Sequence, residues 1–365
     1  MSKSRIVRVW IVAACLSLVI SACSSSHKKQ GKEESKSTES KSFQLPEIPP
    51  VYTDQRERAK YMVAHYWDKF NFADTSLIHV PEVSEQAFVD FLQVLPYVPY
   101  ADVEKEISGM LDKALLADTL MFAYFTELYD KYLYNPNSPM LNEEFYLPVL
   151  KYIVNSERVG EIDKMRPAFR LEMTLKNRVG NPATDFTYTL PSGKKGKLSG
   201  INADYTILFF NNPDCNACRA IKAEVEASGL VKSWLNVKVQ DNRKKLVFLS
   251  VFPDPELEVW RRMLPEQPKE WMCTYDDGQV ITKERLYDLR AIPTFYLLDR
   301  EKRVLLKDAP FRVIEAYLGE REGLKPPYFF QRCNHFRHHC PDRVFRLSGV
   351  EIAVDLGFLV GGFCM

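Results

Sequence analysis

The chain has 365 residues, 46% hydrophobic and 27% charged, with 49 Lys and Arg against 48 Asp and Glu for a formal net charge of +1. That length predicts two domains with tails, and the composition predicts a globular protein with a substantial core. The two signs of charge are interspersed, which excludes the broad basic surface by which proteins bind nucleic acid.

Lys3, Arg5 and Arg8 precede an apolar run from Val9 to Ile20, which ends in the small residues Ser21 and Ala22 before Cys23. The run is short for a membrane-spanning helix and has the order of a targeting signal. Leu18-Val19-Ile20-Ser21-Ala22-Cys23 resembles a bacterial lipobox. The resemblance implies cleavage before Cys23 and a lipid on its thiol, so residues 1–22 are a signal peptide and the lipid ties the chain to a membrane. An ordinary secretory signal ending near a cysteine is the alternative. The expected location is the cell envelope, on the periplasmic side, where disulfide chemistry has substrates. Ser24 to Ser42 is Ser, Lys and Glu without a large apolar residue, and Leu45 to Pro50 is proline-rich. Residues 23–50 therefore read as a disordered tether.

From 51 to 176 the apolar spacing is helical. Tyr61, Met62, Val63, Tyr66, Trp67 and Phe70 mark one helix, and Ala87, Phe88, Phe91, Leu92 and Leu95 a second that Pro96 and Pro99 stop. Ile107 to Leu115, Leu120 to Tyr132, Phe145 to Ile153 and Ile162 to Lys176 supply four more, so this is an all-α domain. Its aromatic residues read as core rather than as a ligand box, and His65 and His79 stand alone without a metal-ligand pattern.

After Gly180-Asn181-Pro182 the period becomes strand-like. Strands are expected at Asp185 to Leu190, Lys197-Leu198, Tyr205 to Phe210, Lys245 to Phe252, Trp271 to Tyr275, Phe295 to Leu298 and Val304 to Leu306. Helices are expected from Cys215, over Pro255 to Met263 after an Asp254 cap, over Ile281 to Leu289, and over Pro310 to Leu318. That alternation, closed by a hairpin, predicts a mixed sheet covered by helices, and makes the whole chain an α+β protein of two domains.

Residues 205–226, YTILFFNNPDCNACRAIKAEVE, carry the chemistry. A buried strand runs into a polar turn, and two cysteines two residues apart open a helix. Unpaired N–H groups and the helix dipole at such a terminus favour thiolate over thiol. Cys215 is then the nucleophile, and Cys218, one turn inward, resolves the mixed disulfide that Cys215 forms. An inert structural disulfide and a metal site are the competing readings, the second weakened because this domain has no further cysteine pair at ligand spacing.

CNAC opening a helix after a buried strand, followed by AIPTFYLLD, resembles the thioredoxin fold over about 177–320, and GNPATDFTYTL resembles its TlpA/ResA-type envelope branch. The helical region, with YWDKFNFADTSLIHVPE, resembles the DUF5106-type domain of Bacteroidetes lipoproteins. The first resemblance implies a thioredoxin-like α/β/α domain, a Cys215–Cys218 redox disulfide in place of any other cofactor, and a cis-proline role for Pro293. Ile292 would then offer its backbone to an extended substrate segment. Protein disulfides are the implied substrates, and a membrane electron donor the implied source of re-reduction. Two features depart from the family: Phe209 stands where cytosolic thioredoxins carry a buried acid, and Ile221 where the envelope branch often has Glu. Glu224 reads as a solvated helix charge, and Asp214 is expected to oppose thiolate formation at Cys215.

Cys273 reads as a small buried hydrophobe. In the tail, 321–365, CNHFRHHC gathers Cys333, His335, His338, His339 and Cys340 after the fold is complete. An irregular or non-native extension is the expectation there, metal binding the alternative. The leading function is a thiol-disulfide oxidoreductase that reduces protein disulfides, and the alternative a binding or adaptor lipoprotein working through its helical domain. A peroxidase of this fold needs Thr-x-x-Cys, whereas Asn212 stands three before Cys215.

Overall fold

The computed structural model describes residues 42–321, 323, 344–347 and 350–353. The signal peptide, Cys23, most of the tether and the Cys333 to Cys340 cluster lie outside the described residues.

The helical part has the six expected helices. Asp54 opens α1 (Gln55–His65) by accepting the N–H groups of Arg56 and Glu57. Then α2 (Ser84–Val94) gives way to a tight turn over Leu95–Tyr97 where Pro96 interrupts it. Two further helices, α3 (Tyr100–Ala117) and α4 (Thr119–Tyr129), meet at Asp118, whose carboxylate caps the second of them. A single wide turn, Asp130–Tyr134, leads on, and after a loop Asn142 caps α5 (Glu143–Asn155), followed by α6 (Glu161–Leu175). Tyr66, Phe88, Phe91, Phe125 and Tyr129 are fully buried between these helices. Each contributes about 1.5–3 kcal/mol by leaving water. The aromatic spacing therefore marks core, as expected. His65 pairs with Asp68 at 2.8 Å. Phe43, Leu45 and Ile48, expected in a disordered tether, instead pack on this core, with Phe43 stacked 5.1 Å from Tyr66.

The seven strands are β1 (Thr187–Thr189), β2 (Lys195–Lys197), β3 (Ala203–Phe210), β4 (Lys244–Phe252), β5 (Met272–Tyr275), β6 (Thr294–Leu298) and β7 (Val304–Lys307). They form one sheet in the order β2-β1-β5-β4-β3-β6-β7. The central pairs β3–β4 and β4–β5 are parallel, and the others antiparallel. Side chains alternate along β3, so Ile207 and Phe209 enter one core while Leu208 and Phe210 enter the other. This double burial explains why the strand reads as an unbroken apolar run. Around the sheet lie α7 (Asn216–Ala227), α8 (Gly229–Leu235), α9 (Leu257–Met263), α10 (Val280–Lys283) and α11 (Phe311–Arg321). A further antiparallel pair, β8 (Val344–Leu347) with β9 (Val350–Ala353), falls in the tail that reads as irregular.

Three local expectations need correction. The helix expected over Ile281 to Leu289 is only the single turn α10, because Arg285 adopts a left-handed φ of 52° that a helix cannot absorb. Asp254 does not cap α9, which starts after Glu256 without a side-chain cap. Ser228 caps α8, an unexpected helix, by accepting the Val231 N–H at 3.1 Å. Cys273 is buried in the core with Phe248 and Trp271, as expected.

The helical and sheet parts belong to one compact unit and are riveted at their junction. Asn177, left-handed and 5% exposed, donates to the Leu286 carbonyl at 2.8 Å and accepts the Thr184 N–H at 2.7 Å. From β7, Lys307 donates to the Lys176 carbonyl at 2.9 Å and the Thr174 carbonyl at 3.3 Å, covering the C-terminal end of α6 with a cation.

Candidate active site

The end of β3 places the two cysteines. Asn211 is buried, extends the ladder by bonding its N–H to the Val251 carbonyl, and donates its side chain to Ser250 Oγ at 2.7 Å. Asn212 then ties the turn together. Its carbonyl accepts the Cys215 N–H at 3.0 Å, its Oδ1 accepts the Asp214 N–H at 2.9 Å, and its Nδ2 donates to Asp254 at 2.8 Å. Cys215 is the N-cap of α7, in extended backbone with φ −78° and ψ 130°, and its carbonyl accepts the Arg219 N–H. The cap therefore presents a sulfur, not an oxygen, to the free amides of the first turn.

The two thiols are unlike, Cys215 half-buried and Cys218 buried. Burial pushes the half-buried Cys215 up, but the N–H of Cys218, the Cys218 thiol, the N–H of Ala217 and the Arg219 guanidinium together bring it below a free cysteine. Cys218 is 3% exposed, and burial first, then Cys215 and Asp254, push it up to about 12 against the opposing N–H of Asn212. Asp214 is the charge expected to oppose the Cys215 thiolate. It is exposed, and Arg219 folds back over the turn, 3.7 Å from its carboxylate and 2.9 Å from its carbonyl.

Ile292 and Pro293 are joined by a cis peptide bond. They share a cleft of about 770 Å³ with Ala217, which lies between the cysteines, and with Ile221. The structure thus puts Ala217 and the 292–293 pair on one cleft. Cys218 lines a separate cavity of about 40 Å³ beside Phe209, Asn211 and Trp271. Phe209, in place of the family's acid, stacks on Phe295 at 4.4 Å, and Glu224 is solvent-exposed. The sequence does not mark Asn212 and Asp254 as site residues: Asp254 reads as a helix cap, and only the fold brings its charge close enough to push up Cys218. Among the described residues no group of three or more His, Cys, Asp or Glu side chains is placed to hold a metal, and no helix is long and apolar enough to cross a membrane.

A parallel strand running into a helix capped by the first of two cysteines, against a cis-proline before an antiparallel hairpin, defines a thioredoxin-like protein. The chain belongs to that family. A thioredoxin-like protein from Bacteroides caccae ATCC 43185 is 48% identical with a TM-score of 0.72, over 76% of this chain and 98% of that one. Residues 22–177 match the domain of unknown function DUF5106. The C-terminal domain of an uncharacterized protein from Bacteroides fragilis NCTC 9343 is 47% identical over 39% of this chain and 98% of that one, with a TM-score of 0.37. The thioredoxin domain of a thiol-disulfide oxidoreductase from Bacteroides vulgatus is 18% identical over 39% and 98%, with a TM-score of 0.32. No curated protein matches.

Proposed function

We propose that this protein is a lipid-anchored thiol-disulfide oxidoreductase of the cell envelope that reduces protein disulfides. The observation that carries the reading is the inequality of the thiols: Cys215 held toward thiolate at a helix terminus, Cys218 held protonated behind it. The Cys215 thiolate attacks one substrate sulfur, the substrate S–S bond breaks, and the other sulfur leaves and takes up a proton. Cys218 then loses its proton and attacks Cys215 Sγ. The second substrate thiol departs, and two electrons have passed to the substrate, leaving a Cys215–Cys218 disulfide. Asp254, tied to the turn through Asn212, is a carboxylate whose charge reaches the thiol that must give up its proton. A membrane electron donor returns two electrons and two protons. Ile292 and Pro293 hold the substrate backbone, and a lipid on Cys23 keeps the protein at the membrane facing the periplasm.

Two measurements test this. Iodoacetamide should modify Cys215 with a pH midpoint below the roughly 8.5 of a free cysteine, while Cys218 stays unmodified through that range. In cells, Cys218→Ser should accumulate mixed disulfides through Cys215, which Cys215→Ser should not. No trapped species together with an ordinary midpoint would sink the proposal, and an unchanged phenotype for the double serine variant would favour an adaptor instead.

A further inference from the structure

The second half of the exchange needs a proton acceptor. Cys218 has to lose its proton to attack Cys215, yet it is pushed up to about 12, so at pH 7 only about one molecule in 100,000 would hold it as free thiolate. The two positions from which a carboxylate would be expected to take that proton hold Phe209 and Ile221. We propose that Asp254 takes the Cys218 proton, with Asn212 as the positioning residue that holds the carboxylate in place. The inference deepens the proposed reductase function and rests on it.

Asn212 joins the two groups. Its backbone N–H reaches the Cys218 thiol, and its Nδ2 donates to Asp254 Oδ2 at 2.8 Å. The other end of the same amide, Oδ1, accepts the Asp214 N–H at 2.9 Å, so both ends are engaged and the side chain is pinned. The strands below hold the turn and the carboxylate at one level. Asn211, next to Asn212, bonds its N–H to the Val251 carbonyl at 3.1 Å and its side chain to Ser250 Oγ at 2.7 Å, and Asp254 follows β4 by two residues. Because α9 starts without a side-chain cap, no helix terminus competes for the Asp254 carboxylate.

The step balances. The Cys218 S–H bond breaks, the proton goes to an Asp254 oxygen, and the electron pair left on Cys218 Sγ forms the bond to Cys215 Sγ. The bond from Cys215 to the substrate sulfur breaks, and that sulfur leaves as a thiolate that takes a proton from water, while Asp254 returns its own proton to water. Transfer in concert with the attack spares the site a free Cys218 thiolate. Charge and proton transfer act in opposite directions here. As a fixed charge Asp254 holds the proton on Cys218 and slows the step; as acceptor it speeds it.

The test mixes the reduced full chain with an aromatic disulfide, dithiobis-nitrobenzoate, and follows thionitrobenzoate release, with the Cys215→Ser, Cys218→Ser double variant as the background from other cysteines. The first phase, attack by Cys215, scales with reagent; the second, attack by Cys218 on the mixed disulfide, does not. Asp254→Asn, which keeps an oxygen for Asn212, should slow the second phase relative to the first by roughly tenfold or more at pH 7. Asp254→Glu should recover part of the loss, and Asn212→Ala should slow the second phase too. Glu266→Gln, at an exposed carboxylate that lines the Cys218 cavity, should leave the ratio unchanged. A second phase unchanged or faster in Asp254→Asn, or slowed by Glu266→Gln in its place, overturns the transfer to Asp254 and leaves the reductase standing. A wild type without a second phase overturns both.

Discussion

Arg290→Ala is expected to lower stability by about 3–5 kcal/mol at neutral pH, the cost of leaving buried charge without its partner. The guanidinium bonds Glu143 at 2.8 Å, Asp288 more closely still, and Asp308 at 3.4 Å, with the Tyr134 ring 3.9 Å from its centre. Lys307 is the second cation, on Glu143. Two cations thus serve three carboxylates, and the excess shows at Asp308, which burial pushes up to about 6 despite Arg290. A carboxyl raised in the fold contributes stability that is complete below its unfolded value of about 3.9 and disappears as pH rises through about 6. Removing Arg290 takes away the cation that holds Asp308 down, so the deficit should be large near pH 7 and much smaller near pH 4. Urea midpoints at the two pH values decide it: an equal deficit at both would show that the arginine acts by packing alone.

Phe209→Ala should cost a similar 3–5 kcal/mol, the usual range for deleting a buried aromatic ring. The ring stacks on Phe295 at 4.4 Å and meets Phe248 at 5.6 Å and Trp271 at 6.0 Å edge-on, so the loss opens the centre of one core. It also borders the small cavity of Cys218. Water admitted there relieves the burial that holds Cys218 near 12, so its alkylation in a Cys215→Ser background should move to lower pH. Destabilisation without that movement would separate the ring's structural role from any influence on the thiol.

Both predictions concern residues most of whose partners lie far away in the chain, and this marks what the sequence discloses. The strand at 205–210 and the cysteine helix are legible because burial on both faces and helix periodicity leave local signatures. Pro293 is legible through the family's Ile-Pro-Thr. The short α10 is not, since the residues to Leu289 keep a helical apolar spacing and only the backbone at Arg285 departs from it. Asp214 reads as a like charge beside a thiolate; the guanidinium of Arg219 that lies over it is brought there by the helix turn.

The Lys307 and Asn177 rivets have a mechanical corollary. Both sit where residues 174–177 pass from one half to the other, so any hinging of the halves there has to break these hydrogen bonds. In the proposed reductase, client and electron source would then meet the same pair of thiols in turn, and their competition for it would set the pace of turnover.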